Sequence, residues 1–281
     1  MLMRKICFML ASLFMLAGCG KDATEMVNEG KKNVTFNVEQ NDVATRAGMS
    51  ADGVEMTDLW VFDYMGGQLV GQVHQVPTDA DWGSPMLSLT YGEHELYFVA
   101  SRGSSPSVST AQHTIAWQKA SDTFWKKLSL NVTDGTVNAI SVVLSRKATR
   151  LRIVVSDEVP ANVASLVIRP GKWYNAMDYF DGSPVGEVDE DRTVSVPASM
   201  LGTQGQLKAS IFGIGGSTEW TTTVSVSARD SENNIVGLAS LASVPFIENR
   251  TTEFTGVLFH AGGSASVSLD DEWQPTWQGS W

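Results

Sequence analysis

The chain has 281 residues and a formal charge of −11. That acidity argues against nucleic acid as a partner and against electrostatic attraction to anionic lipid. Only two cysteines occur, so no disulfide framework exists, and the wealth of Gly, Ser, Thr, Val and Trp is the makeup of short strands joined by tight turns.

Taken in chain order, the first element is a leader. Arg4 and Lys5 precede an apolar stretch from Ile6 to Met15, too short to span a bilayer, which ends in Leu16-Ala17-Gly18-Cys19. These four residues resemble a bacterial lipobox, which implies cleavage after residue 18 and diacylation of the Cys19 thiol. Loss of Arg4 and Lys5 with the leader takes the charge to −13. A lipid tail contributes about 0.8 kcal/mol per buried CH₂, so two or three acyl chains tether a protein stably. Residues 19–32 are small and polar and read as a flexible tether.

Period-two alternation then takes over. Val34, Phe36 and Val38 share one face of a strand. Strands at 59–64 and 68–74 are joined through Gly66-Gly67, which supplies the positive φ a hairpin needs, and another runs over 94–101. From Val108 to Leu128 the spacing of Ile115, Trp117, Phe124, Trp125 and Leu128 predicts a short helix or irregular loop. Strands resume at 137–144 and 148–156, with a basic turn at Arg146-Lys147 between them. Further strands are predicted at 163–169, 193–196, 206–213, 222–229, 235–242, 252–260 and 264–269. This pattern predicts an all-β protein with a β-sandwich in each half, 33–146 and 147–281, of roughly 110 and 130 residues.

The C-terminal tail places Trp273, Trp277 and Trp281 on one face of an extended strand, a parity that continues back through Leu269, Val267 and Ala265. Each tryptophan buries on the order of 150–250 Å², at most roughly 4–6 kcal/mol apiece. Such a face needs a sheet. Either the tail closes its own domain, or it is donated to a groove on a neighbouring subunit. At the other end, Val34, Phe36 and Val38 fill the edge of the first sheet. The polar stretch that follows holds Arg46-Ala47, a site where cleavage would release that strand and leave an acceptor groove; the alternative is a solvated loop arginine.

Several segments together resemble the fimbrillins, the type V pilus subunits, and their anchor and accessory relatives. They are the lipobox Cys19, Thr45-Arg46-Ala47, Leu59-Trp60-Val61-Phe62-Asp63-Tyr64 leading into Gly66-Gly67, the stretch from Tyr91 to Ala100, the stretch from Leu144 to Leu151, and Thr255-Gly256-Val257-Leu258-Phe259. The resemblance implies two transthyretin-like, Greek-key sandwiches and display at the outer membrane as part of a fimbrium. It also implies partnership with other pilus subunits in a homo- or hetero-polymer. In that family, shaft subunits are cut by an arginine-specific protease and polymerise by strand exchange, while anchor subunits keep their lipid uncut. Carried over, Arg46 is the cleavage residue and the segment after Ser264 the donor.

The search for other chemistry returns little. His74, His94, His113 and His260 lack metal-ligand spacing and read as structural. The acids Asp178, Asp181, Glu187, Asp189, Glu190 and Asp191 lack the calcium-loop pattern. Neither a nucleophile elbow nor a Walker loop occurs. The chain reads as a non-enzyme without cofactor or metal. Its rival reading is a monomeric glycan-binding surface lipoprotein, with the tail or Trp173-Tyr174 offering ring faces to a host or other glycan.

Overall fold

The computed structural model describes residues 30–40, 50–51, 54–260 and 274–278. Cys19, Arg46, Ala47, Ala265, Val267, Leu269, Trp273 and Trp281 lie outside the described residues. Within them the protein is built from strands, with one 3₁₀ turn at Ala198–Met200. No helix there is long and apolar enough to cross a membrane.

The strands of the first half are β1 (Lys31–Gln40), β2 (Ser50–Ala51), β3 (Val54–Glu55), β4 (Asp58–Met65), β5 (Gln68–Gln75), β6 (Met86–Thr90), β7 (Gly92–Ser101), β8 (Ser107–Ser109), β9 (Thr114–Ala116), β10 (Thr123–Val132) and β11 (Ala139–Arg146). Those of the second are β12 (Ala148–Val155), β13 (Val163–Pro170), β14 (Trp173–Asp178), β15 (Pro184–Val188), β16 (Arg192–Ser195), β17 (Lys208–Ile214), β18 (Trp220–Asp230), β19 (Ile235–Phe246), β20 (Arg250–Gly256) and β21 (Gln274–Gln278).

Seven strands form one sheet in the order β5-β4-β7-β10-β11-β1-β6. It folds back on itself at β10 and β11, which pair only at Phe124↔Arg146 and Trp125↔Ser145. Below this corner β10 stays with β7 while β11 turns to β1, so the two ends of one sheet become facing layers. The core between them draws on both layers, with Phe36 set edge-on to Phe98 at 5.4 Å between centroids. The Gly66-Gly67 hairpin forms as predicted, with both glycines at positive φ (57° and 79°).

In the second half the sheets β17-β12-β20-β21 and β16-β13-β18-β19 face each other across a core that includes Leu151, Ile168, Trp173, Ile211, Val226 and Phe246. A third four-stranded sheet, β15-β14-β9-β8, takes two strands from each half. Here the structure corrects the expectation for 108–128: the segment forms β8, β9 and the first part of β10. β9 pairs with β14 at Ala116↔Ala176, Ile115↔Met177 and Thr114↔Asp178.

This shared sheet covers a third apolar cluster, in which Phe62 stacks on Tyr179 at 4.1 Å and the hydroxyls of Tyr64 and Tyr179 hydrogen bond at 2.8 Å. Burial, and then that bond, push the Tyr179 phenol well above its ordinary range.

The junction at Arg146-Lys147 is not a solvated basic turn. Arg146 is buried and donates from Nε and Nη2 to the two carboxylate oxygens of Asp122, at 2.8 and 3.1 Å. Lys147 pairs with Glu248 at 2.7 Å and lies over the Trp125 ring. One residue, Lys147, therefore separates β11 from β12, and both it and Arg146 are consumed in packing.

Candidate functional site

β1 is the element that the sequence singled out for exchange, and its surroundings define a groove. It is held on both sides, parallel to β11 from Thr35↔Ala139 to Gln40↔Leu144 and antiparallel to β6 from Lys31↔Thr90 to Thr35↔Met86. Beyond β6 the ladder continues through loop carbonyls: the Phe36 N–H donates to Pro85 at 2.9 Å and the Val38 N–H to Gly83 at 2.9 Å. The period-two pattern does what it predicts. Val34, Phe36 and Val38 are at most 3% exposed, while Asn33, Asn37 and Glu39 face solvent. Burial of three such side chains contributes about 5–9 kcal/mol in total.

The entrance of the groove is closed by residues that the sequence reading missed. Gly30 lies directly under the Tyr91 ring, and the Tyr91 N–H donates to the Gly30 carbonyl at 2.9 Å. The Tyr91 hydroxyl reaches Asp134 Oδ1 at 3.3 Å, and Lys32 Nζ donates to the Asp134 carbonyl at 3.0 Å. Two turns, β6–β7 and β10–β11, thus meet over the start of β1. The only sequence signal was a glycine four residues before Val34.

Among the described residues, the C-terminal tail is represented by β21, which runs parallel to β20 at the edge of its own chain's sheet, with Trp277 opposite Thr252. Pro275 removes one ladder donor, which an edge position tolerates. The root of the tail is fixed by Asp157, just past β12. Its carboxylate accepts the N–H groups of Leu258 (3.0 Å), Phe259 (2.7 Å) and His260 (3.2 Å), and lies 3.0 Å from His260 Nδ1. Burial alone would raise this carboxyl, but those donors outweigh it and hold it below the usual value.

The histidines are structural where the geometry speaks. His94 is buried, 2.7 Å from Asp63 through Nδ1 and 2.8 Å from the Thr90 carbonyl through Nε2, and His74 stacks on Trp60 while bonding Asp58 at 2.8 Å. The acidic stretch is paired with cations: Asp189 with Arg169, Glu187 with Lys172 and Glu190 with Arg192. Trp173 is fully buried, its Nε1 donating to the Phe212 carbonyl at 3.0 Å, so it offers no face to a sugar.

A cleft of about 710 Å³ beside the β4–β5 hairpin was not foreseen. Glu95, Lys127 and Ser129 line it, and the Glu95 carboxyl is held down first by Lys127 and then by the Tyr97 and Ser129 hydroxyls. Its rings cover one another. Phe180 is sandwiched between Tyr97 at 4.6 Å and His113 at 3.7 Å, both near-parallel.

This architecture is that of an all-β protein built from folded-back and facing sheets. No family model matches the chain, nor does any curated protein. Solved structures do match along nearly the full length. A candidate adhesin of Bacteroides ovatus superposes with a TM-score of 0.51 at 10% identity, over 89% of this chain and 95% of that one. The fimbrial anchor protein Mfa2 of Porphyromonas gingivalis gives 0.50 at 12%, over 90% and 98%. A candidate cell adhesion protein of Bacteroides uniformis gives 0.50 at 11%, over 87% and 99%. At these identities the match is one of fold.

Proposed function

We propose that the chain is a surface lipoprotein that serves as a structural subunit of a type V-like pilus, joins its neighbours by β-strand complementation and mediates adhesion rather than catalysis. The observation that carries this is β1: a terminal strand seated between two others, with three core side chains, connected onward through a segment that contains Arg46. The fold shared with a fimbrial anchor and with candidate adhesins supports the same reading.

In this reading residues 1–18 are the leader, Cys19 carries the lipid at the outer membrane, and a tether leads to β1. Two sandwiches, 33–146 and 147–281, follow. Cutting between Arg46 and Ala47 frees Val34, Phe36 and Val38 from the groove. The donor is the tail with Ala265, Val267, Leu269, Trp273, Trp277 and Trp281, whose β21 portion leaves β20 on donation.

The test is cleavage of the chain from Gly20 onward with an arginine-specific protease, with mass spectrometry to place the cut and sizing to follow assembly. A cut after Arg46, followed by oligomers that vanish when residues 273–281 are deleted, is the expected result. A chain that resists cutting there, or is cut and stays monomeric, removes the shaft role. The glycan-binding alternative now rests on the cleft at Glu95 and Lys127, and glycan-array binding by the uncut monomer would favour it.

A further inference from the structure

Along β14 the alternation that buries Trp173 turns Tyr174 the other way, to a half-buried position where it meets Trp220 at the start of β18. The two rings stand perpendicular, 86° apart with 5.5 Å between centroids. Each is braced: Trp220 packs against Phe246 at the rim of the second core, and the Lys172 ammonium lies 5.7 Å from the Tyr174 centroid. Both rings line a groove of about 300 Å³, closed by Ser183 and Pro184 at the start of β15 and by the loop from β17 to β18. That volume suits a small ring compound and not a folded partner.

The loop is fixed before any ligand arrives. The Gly215 N–H donates to the Lys147 carbonyl at 2.7 Å, the Glu248 N–H donates to the Gly216 carbonyl at 3.0 Å, and Glu219 pairs with Arg250 at 3.0 Å. Gly215 runs so close to its neighbour that a Cβ built on it falls 2.4 Å from the Glu248 Cα. Both ends of the loop are thus tied to residues 248–250, and a ligand bears little cost of ordering it.

The lining has the chemistry of a sugar site. A sugar ring presents an apolar face of C–H groups and a rim of hydroxyls, so it needs an aromatic surface beside groups that both donate and accept. The hydroxyls of Ser183, Ser217 and Thr218 bond to no other described residue and are available in both senses. The Trp220 indole N–H is buried without an acceptor among the described residues, a donor that a ligand oxygen entering beside the ring would satisfy. Glu219 is the one carboxylate in the lining, and Arg250 matches its charge. With a chain charge of −11, such a groove favours a neutral sugar over an anionic one. The cleft beside the β4–β5 hairpin differs, since its rings cover one another and Glu95 is engaged by Lys127, Tyr97 and Ser129.

Resting on the adhesion part of the reading above, we propose that the Tyr174–Trp220 groove binds one neutral sugar unit of a glycan. The apolar face of the sugar packs on the rings, and its hydroxyls bond to Ser183, Ser217 and Thr218. Every lining residue falls between 174 and 220, and none lies on β1, β6 or β11, so a bound sugar does not compete with strand exchange.

The experiment places the chain from Gly20 onward on an array of neutral, sialylated and sulfated glycans. The strongest neutral ligand is then titrated calorimetrically against wild type and variants, each checked by thermal unfolding. Tyr174→Ala removes a half-buried ring, Thr218→Val removes a hydroxyl at nearly constant volume on an exposed loop, and Lys127→Ala alters the other cleft. Neutral glycans are expected to bind, about tenfold or more weakly to Tyr174→Ala and about threefold more weakly to Thr218→Val, with Lys127→Ala unchanged. Should Tyr174→Ala fail to fold, Thr218→Val carries the test.

Binding confined to sialylated or sulfated glycans, or neutral binding that survives both groove variants, overturns the proposal and leaves adhesion to another surface. Loss of binding with Lys127→Ala instead assigns the glycan to the cleft beside the hairpin and overturns it too. No binding anywhere on the array removes glycan adhesion altogether, while cutting after Arg46 and sizing still decide strand exchange by themselves.

Discussion

Replacing Phe36 by alanine probes how firmly β1 belongs to the first core. The ring is fully buried and sits edge-on to Phe98 with 5.4 Å between centroids. Deletion of a buried phenylalanine side chain costs about 3–5 kcal/mol, the cavity included, of which the ring pair accounts for about 0.5–1.5 kcal/mol. With a urea m-value of about 1–3 kcal/mol/M, the unfolding midpoint of this half moves down by roughly 1–5 M. Tryptophan fluorescence in equilibrium urea titrations reads that shift. Thr35→Ala is the control, since Thr35 occupies the opposite face of the same strand and its change stays within about 0.5 kcal/mol. A cost below 1 kcal/mol for Phe36→Ala, or an equal cost for Thr35→Ala, would show that β1 is not seated with this face inward.

Asp122→Ala takes the bidentate carboxylate away from the buried Arg146 guanidinium and also the ion pair from Arg102, and is expected to cost about 3–5 kcal/mol; adding Arg146→Met recovers part of the loss, as thermal unfolding of the three proteins would show. Asp157→Ala frees the N–H groups of Leu258, Phe259 and His260, and hydrogen exchange at these three amides rises while β12 stays protected. Because the folded pKa of Asp157 is depressed, its contribution is fully present above the unfolded value of about 3.9 and is lost as pH falls through the lower folded value. Wild type and Asp157→Ala should therefore converge in stability in urea titrations below about pH 4.

The parts legible in sequence were those governed by local rules. The alternation of Val34, Phe36 and Val38 survives because β1 has one wet face, and Gly66-Gly67 announces its turn because few other residues accept positive φ twice. β9 and the start of β10 were hidden for the opposite reason. Phe124 points into the first core while Trp125, on the other face, donates to the Tyr179 carbonyl at 2.8 Å, so both faces are covered and no alternation shows. β14 does alternate, burying Trp173, Asn175 and Met177, but a buried asparagine masks the pattern; it is satisfied by Gln118 and Glu190, remote in sequence. Arg146 looked like a turn residue because nothing local reveals Asp122, 24 positions earlier. At the groove, the apolar triplet was readable and the closure was not, since Tyr91 and Asp134 meet only once two turns have folded against each other.

Two of the three parallel pairings among the described strands bear on mechanics. β1 runs beside β11, β11 passes to β12 through Lys147 alone, and β12 runs beside β20. Consider tension applied between the leading end of β1 and the trailing end of β20. In each parallel pair the two loaded ends lie at opposite extremities, so the strands are pulled lengthwise past each other. The cross-strand bonds of each ladder then share the load and must fail together, instead of opening one after another from an end. A protein wired in this way resists stretching along the chain far better than it resists being pried apart sideways.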